Sequence, residues 1–250
     1  GGIGLRLLHS IATGQWEYTV YGIIGLIVMF ALGYLMFHTR QWGGGDTKLM
    51  VGIGTVFATR PFYLPLHDIP FLAIVLLNIL IIGAVYGILF GLVLAIKNWK
   101  KFLPAAREIS KGKKIMAMKI VALVIALAAI LIATATSLDF PIKIATSTLA
   151  IILLLYPYLT ILIKAVEKSC LMKNIPVAKL TPGDWVEQSV YKNGKLIYKR
   201  KPLGIEREDI TKLIKAKVSA VLVKEGIPFI PPFFLGTLVA IVSGKIMFFI

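Results

Sequence analysis

From Tyr18 to Met36 this chain runs without one charged side chain, and it does so again from Phe71 to Ile96. Two more apolar runs follow, at about 120 to 137 and 143 to 164. About 20 helical residues cross a hydrocarbon core of about 30 Å, so these runs have the length of membrane spans. Composition agrees. Hydrophobic residues make up 58% of the 250 and charged residues 16%, against roughly 25% charged in an average soluble domain. In water such a chain would leave much apolar surface uncovered. The expected fold is an all-α polytopic membrane protein with a small cytoplasmic α+β segment, and its first partner is the lipid bilayer.

The remaining apolar stretches are shorter. Residues 1 to 12 cannot span, and they read as the outer end of a helix that starts before Gly1. The opening Gly-Gly-Ile, with no Met and no signal-peptide pattern, leads to the expectation that residues are missing upstream. Residues 47 to 58 read as a half-span or re-entrant helix, and 229 to 250 as a C-terminal transmembrane helix begun by Pro231 and Pro232. Together the count is about six membrane segments. The expected division is a helical membrane core over 1–165, a cytoplasmic mixed segment over 166–228, and the last helix over 229–250. Gly22, Gly25 and Gly33 sit inside the first full span, where small residues let helices approach closely.

A net charge of +16 would suggest nucleic acid in a soluble protein. Here no nucleic-acid-reading motif accompanies it, and no nucleic-acid partner is expected. Lys and Arg instead gather in the loop 97 to 119 and in 166 to 228. Cytoplasmic loops of membrane proteins collect such residues. Tracing back from Lys97 puts the loop 59 to 70 outside and Asp46 at the cytoplasmic edge of the cell membrane. Within 166 to 228, Asn193-Gly194 between short alternating segments is a hairpin signal. Ile210, Leu213, Ile214 and Lys217 fall at helical spacing over 206 to 217, and 218 to 223 reads as a strand. The lone Cys170 forms no internal disulfide and is read as structural or incidental. No metal and no cofactor is expected.

One position stands out chemically. Asp46 follows Gly43, Gly44 and Gly45 between two apolar segments, and an acid there is costly unless it faces water or a partner. Three glycines permit unusual dihedrals and close approach of another chain. A carboxylate beside exposed backbone is half of what aspartic proteolysis needs: one carboxylate activates water, and a second, protonated, polarises the scissile carbonyl. The simpler account is that Asp46 N-caps a helix starting at Thr47. The two accounts are compatible.

Gly43-Gly44-Gly45-Asp46-Thr47-Lys48, directly after a span ending Gly33-Tyr34-Leu35-Met36-Phe37, resembles the signature of the GxGD membrane aspartyl proteases. Among these it looks most like the archaeal prepilin and preflagellin peptidases of the type IV prepilin peptidase family. The likeness covers about residues 18 to 58. It implies an aspartic endopeptidase (a hydrolase) acting on the basic leader peptides of type IV pilin-like or archaellin precursors. Asp46 would be the family's second catalytic aspartate, Gly43 and Gly45 its two glycines, and Lys48 a commonly basic position of possible site support. The family's first aspartate has no counterpart in this chain and is expected upstream of Gly1. Asp68 and Asp139 fall on the wrong face. Asp184 sits in a Pro-Gly turn and Asp209 on an amphipathic helix. Two alternatives stand beside this one: a presenilin- or signal-peptide-peptidase-like intramembrane protease, and a non-catalytic membrane assembly or transport subunit that kept the fold.

Overall fold

The computed structural model describes residues 1–64, 68–135 and 139–247. His67 and the first part of the turn expected at 137 to 141 lie outside those residues. The chain is mostly helical and divides into two compact units, residues 1–89 with 174–250, and residues 90–173.

Among the described residues, four helices are long and apolar enough to cross a membrane. They are α2 (Glu17–His38), α4 (Phe71–Lys97), α6 (Lys113–Ala135) and α7 (Phe140–Val166). The expected six is therefore corrected to four. Residues 47 to 56 belong to α3 (Gly44–Val56), and most of the last apolar segment forms α9 (Ile230–Ser243). At 1.5 Å per residue these two are about 20 Å long, short of a hydrocarbon core. α9 ends at Gly244, whose φ of 66° is left-handed and whose N–H bonds the Ala240 carbonyl at 2.9 Å. Buried Asn78 of α4 then holds the turned chain. Its Nδ2 donates to the Lys245 carbonyl at 2.9 Å, and its Oδ1 accepts from the Met247 N–H at 2.6 Å. Both polar atoms of this side chain in an apolar helix thus have a partner.

In the first unit, α1 (Gly2–Thr13) and α3 both pack on α2. The three glycines of α2 act as the sequence suggests. A Cβ on Gly22 would strike the Arg6 side chain, one on Gly25 the Gly54 carbonyl, and one on Gly33 Thr47 Cγ2. Arg6 is buried, with no acidic partner among the described residues. Its guanidinium donates to the carbonyls of Thr55 at 2.6 Å, Tyr18 at 2.7 Å and Val56 at 3.0 Å. Two of those carbonyls close the C-terminal end of α3, where a cation is favoured. Met29, Met50, Ile53, Ile74, Val75 and Phe233 then form one core shared by α2, α3, α4 and α9.

The segment from Asn174 adds a small sheet of order β1-β5-β2, made of Met172–Pro176, Ala220–Lys224 and Trp185–Val186. The Asn193-Gly194 signal holds. β3 (Val190–Lys192) and β4 (Lys195–Tyr198) pair antiparallel across it, and φ is positive at both turn residues, 50° and 74°. This is the mirror-image turn that matches strand twist. α8 (Arg207–Lys215) buries Leu213 against Val186, Tyr198, Ile205 and Val223. Ile214, placed on the same face by its spacing, is exposed. Lys217 lies past the helix end with φ 51°.

In the second unit, part of the basic stretch 97 to 119 is a helix rather than a loop. α5 (Trp99–Ser110) buries Ala105, and Phe102 packs on Ala95, Val166 and Cys170. Its charges hid an amphipathic period. α6 lies along α7 on a seam of small residues, with Ala122, Ala126, Ala133 and Ala150 buried. Cys170 is buried beside the Leu94 carbonyl, consistent with a packing role.

Candidate functional site

Asp46 is not the N-cap of α3. Gly43 is, with extended φ and ψ of −74° and 166°, and Asp46 is the third residue of the helix. Its Oδ2 accepts the Gly43 N–H at 3.2 Å. This is half of a capping box; Gly43 has no side chain to return the other half. Asp46 Oδ1 has no hydrogen bond among the described residues. An acid in a first turn is also favoured by the helix dipole.

The glycines are explained differently from the expectation. None has a positive φ. A Cβ on Gly45 would meet nothing within 4 Å, and one on Gly44 only Phe37 Cε2 at 3.9 Å. The fold does not require glycine there by strain or crowding. Their effect is instead to leave the first-turn backbone of α3 uncovered. Gly45→Ala should therefore fold as well as the wild type or better, by up to about 1 kcal/mol from helix propensity. If a ligand uses that bare backbone, the same substitution should lower activity. Thermal unfolding beside an activity assay separates the two effects.

The turn ahead of Gly43 is pinned on two sides. Arg40 takes a left-handed φ of 57° and donates to the carbonyls of Pro202 at 2.8 Å and Lys201 at 3.0 Å. It also faces Glu187 at 3.5 Å, which Arg200 engages at 2.6 Å. Trp42 is buried, with its ring 5.6 Å from Phe229 and 5.2 Å from Phe233. The first anchor ties the turn to the polar segment that carries the small sheet, and the second to the start of α9. Thr47 Oγ1 adds a bond to the Gly43 carbonyl at 3.2 Å.

Between these anchors lies an open cleft of about 480 Å³. Gln41, Gly43 and Asp46 line one side. Lys179, Asp184, Trp185, Lys224 and Glu225 line the other. Asp46 is half-buried, and burial holds its carboxyl above the usual range, although the Gly43 N–H pulls the other way. A carboxyl that burial makes harder to ionise, set in a cleft, is a candidate for acid–base chemistry.

Asp184 was legible as a turn residue, and it is one. Its Oδ2 accepts the Thr181 N–H at 2.7 Å and its Oδ1 the Thr181 hydroxyl at 3.0 Å. Its place in the same cleft as Asp46 was not legible, because 138 positions of sequence separate them. Lys48 is exposed and outside the cleft lining. Asp209 is buried against Lys201 Nζ at 2.6 Å, away from the cleft. Asp68 and Asp139 are exposed and do not line it. No family model, curated protein or solved structure matches the chain. The chemistry of the site therefore rests on its own geometry. That geometry offers a half-buried carboxyl at a helix start, bare backbone beside it, and a cleft of mixed charge large enough for a peptide segment.

Proposed function

We propose that this chain is a membrane aspartic endopeptidase that removes a short basic leader from precursors of the pilin-like or archaellin kind. The observation that supports this best is Asp46, a carboxyl of raised pKa facing an open cleft beside uncovered glycine backbone. The basic segments favour the cytoplasmic side of the cell membrane for this cleft. An extended peptide passing Gly43 to Gly45 could approach the backbone without meeting side chains.

The reaction needs two carboxyls. One, ionised, takes a proton from water, whose oxygen attacks the scissile carbonyl carbon. The other, protonated, donates a hydrogen bond to the carbonyl oxygen. Collapse of the tetrahedral species breaks the C–N bond, and the leaving amine takes a proton. Asp46 supplies one carboxyl. Asp184 and Glu225 carry negative charge into a cleft that also holds Lys179 and Lys224. A basic leader thus meets local acids despite the net charge of +16.

The test is cleavage of a basic-leader precursor by membranes carrying this polypeptide with whatever its gene encodes before Gly1. One cut at the leader junction is expected. Asp184→Asn should keep most of that cleavage, since both Asp184 oxygens already serve the Thr181 turn. A loss in Asp184→Asn as deep as in Asp46→Asn would make Asp184 the partner carboxyl. A cut inside the apolar helix would favour the intramembrane alternative. No cut in any precursor would favour a non-catalytic assembly or transport subunit.

A further inference from the structure

Beside the polar cleft, a groove of about 410 Å³ lies between α3 and α9. Leu49, Ile53 and Phe57 line it from α3, and Phe234, Leu238 and Ile241 from α9. On α3 these positions continue the face of Asp46 at intervals of three and four residues, which stacks them on one side of a helix. The cleft and the groove meet at one seam. Asp46 lines the cleft and Leu49, one turn on, lines the groove; Pro228 lines the cleft and Ile230 the groove. Thr237 also lines the groove, and its hydroxyl is buried without a partner. Leaving such a group unpaired is costly, so this wall is not finished as a packed interior would be.

A ligand that fills both compartments must be polar where it passes Asp46. It must then be apolar for the next 11 residues of helix, about 16 Å at 1.5 Å each. We infer that the α3–α9 groove seats the apolar helix that follows the cleavage site of the precursor. The site is thereby bipartite, with Asp46 at the boundary between leader and helix. This inference rests on the peptidase proposal for its occupant. The groove wall and the carboxyl belong to one helix, so seating the substrate helix against α3 sets the height of the scissile bond relative to Asp46. Recognition by register against a wall needs little sequence reading of the helix itself.

The experiment uses the full chain in membranes with Asp46→Asn, so that bound precursor is not consumed. A photoreactive side chain replaces Leu238 inside the groove or, in a second variant, Val242 outside it. Val242 is 73% exposed on the same helix and Leu238 43%, so neither replacement disturbs a core. The probe is a precursor with a basic leader followed by an apolar helix. Adducts to the precursor at Leu238 should exceed those at Val242 by about tenfold or more, the ratio that 1.4 kcal/mol of preference gives. They should vanish when a charge is placed in the first turns of the precursor helix. Equal labelling at the two positions, or adducts to lipid alone at Leu238, would overturn the inference. Adducts at Leu238 with no cleavage by the unsubstituted protein would remove the peptidase proposal and keep the groove. Cleavage without them would do the reverse.

Discussion

Asp46→Asn is expected to abolish leader cleavage and leave the protein folded. The two halves of that expectation have separate causes. Asn keeps a side-chain oxygen where Asp46 Oδ2 now accepts the Gly43 N–H, so the start of α3 stays satisfied. Burial raises the Asp46 pKa, which means that folding favours the protonated carboxyl over the ionised one. Its contribution to stability is present at low pH and is lost as pH rises through the folded-state pKa. At pH 7 the ionised side chain is a cost that Asn does not carry. The Asn variant should therefore unfold at the same temperature as the wild type or higher at pH 7. That difference should close on acidification below about pH 4, the ordinary range of an aspartate. The chemistry has no such substitute. An amide neither takes a proton from water nor gives one to the leaving amine. Loss of one proton-transfer group costs about 10²- to 10⁴-fold. Initial cleavage rates on a basic-leader precursor, beside thermal unfolding at the two pH values, check both halves. A variant that cleaves at the wild-type rate would reduce Asp46 to a helix-start residue.

The long spans were legible because lipid imposes a strong rule: about 20 apolar residues and no charge. α2 and α4 begin and end within two residues of the positions that this rule gives. α9 escaped it because an apolar run does not say where the chain turns. Its end is set by Gly244 and by Asn78, 166 positions away. The lone Asn within the apolar run of α4 was the available signal. α5 was hidden by its lysines, although Trp99, Phe102, Leu103 and Ile109 have helical spacing. At the candidate site, the motif singled out a carboxyl that lines a cleft, but the local backbone differs from what it suggested. The glycines are unstrained, and the cap is Gly43. The far wall of the cleft, with Lys179, Asp184 and Lys224, comes from tertiary packing through Arg40 and Trp42. No local pattern announces which distant carbonyl an arginine will find.

Gly54→Val should produce the largest loss of stability of any single change in α3. α2 and α3 meet backbone to backbone at Gly25 and Gly54. A Cβ on Gly54 would stand 2.5 Å from both the Gly25 carbonyl oxygen and Met29 Cγ, and 2.7 Å from Met29 Cβ. A backbone carbonyl cannot rotate away as the tip of a side chain can, so the helices must part. Overpacking of a tight interior costs about 1–3 kcal/mol, and Val adds two methyl groups beyond the Cβ already in collision. Parting the pair also loosens Met29 and Met50, both fully buried. Gly52→Val supplies the control on the same helix. Gly52 is exposed, and a Cβ there meets nothing within 4 Å, so helix propensity alone operates. Unfolding in detergent should show Gly54→Val well below the wild type and Gly52→Val close to it. The first turn of α3 carries Asp46, so movement of the helix should also reach the chemistry. A displacement of about 1 Å is enough to cost about a hundredfold in rate. Equal stability of the two variants would mean that α2 and α3 do not touch through these glycines, and the placement of Asp46 over the cleft would lose its main support.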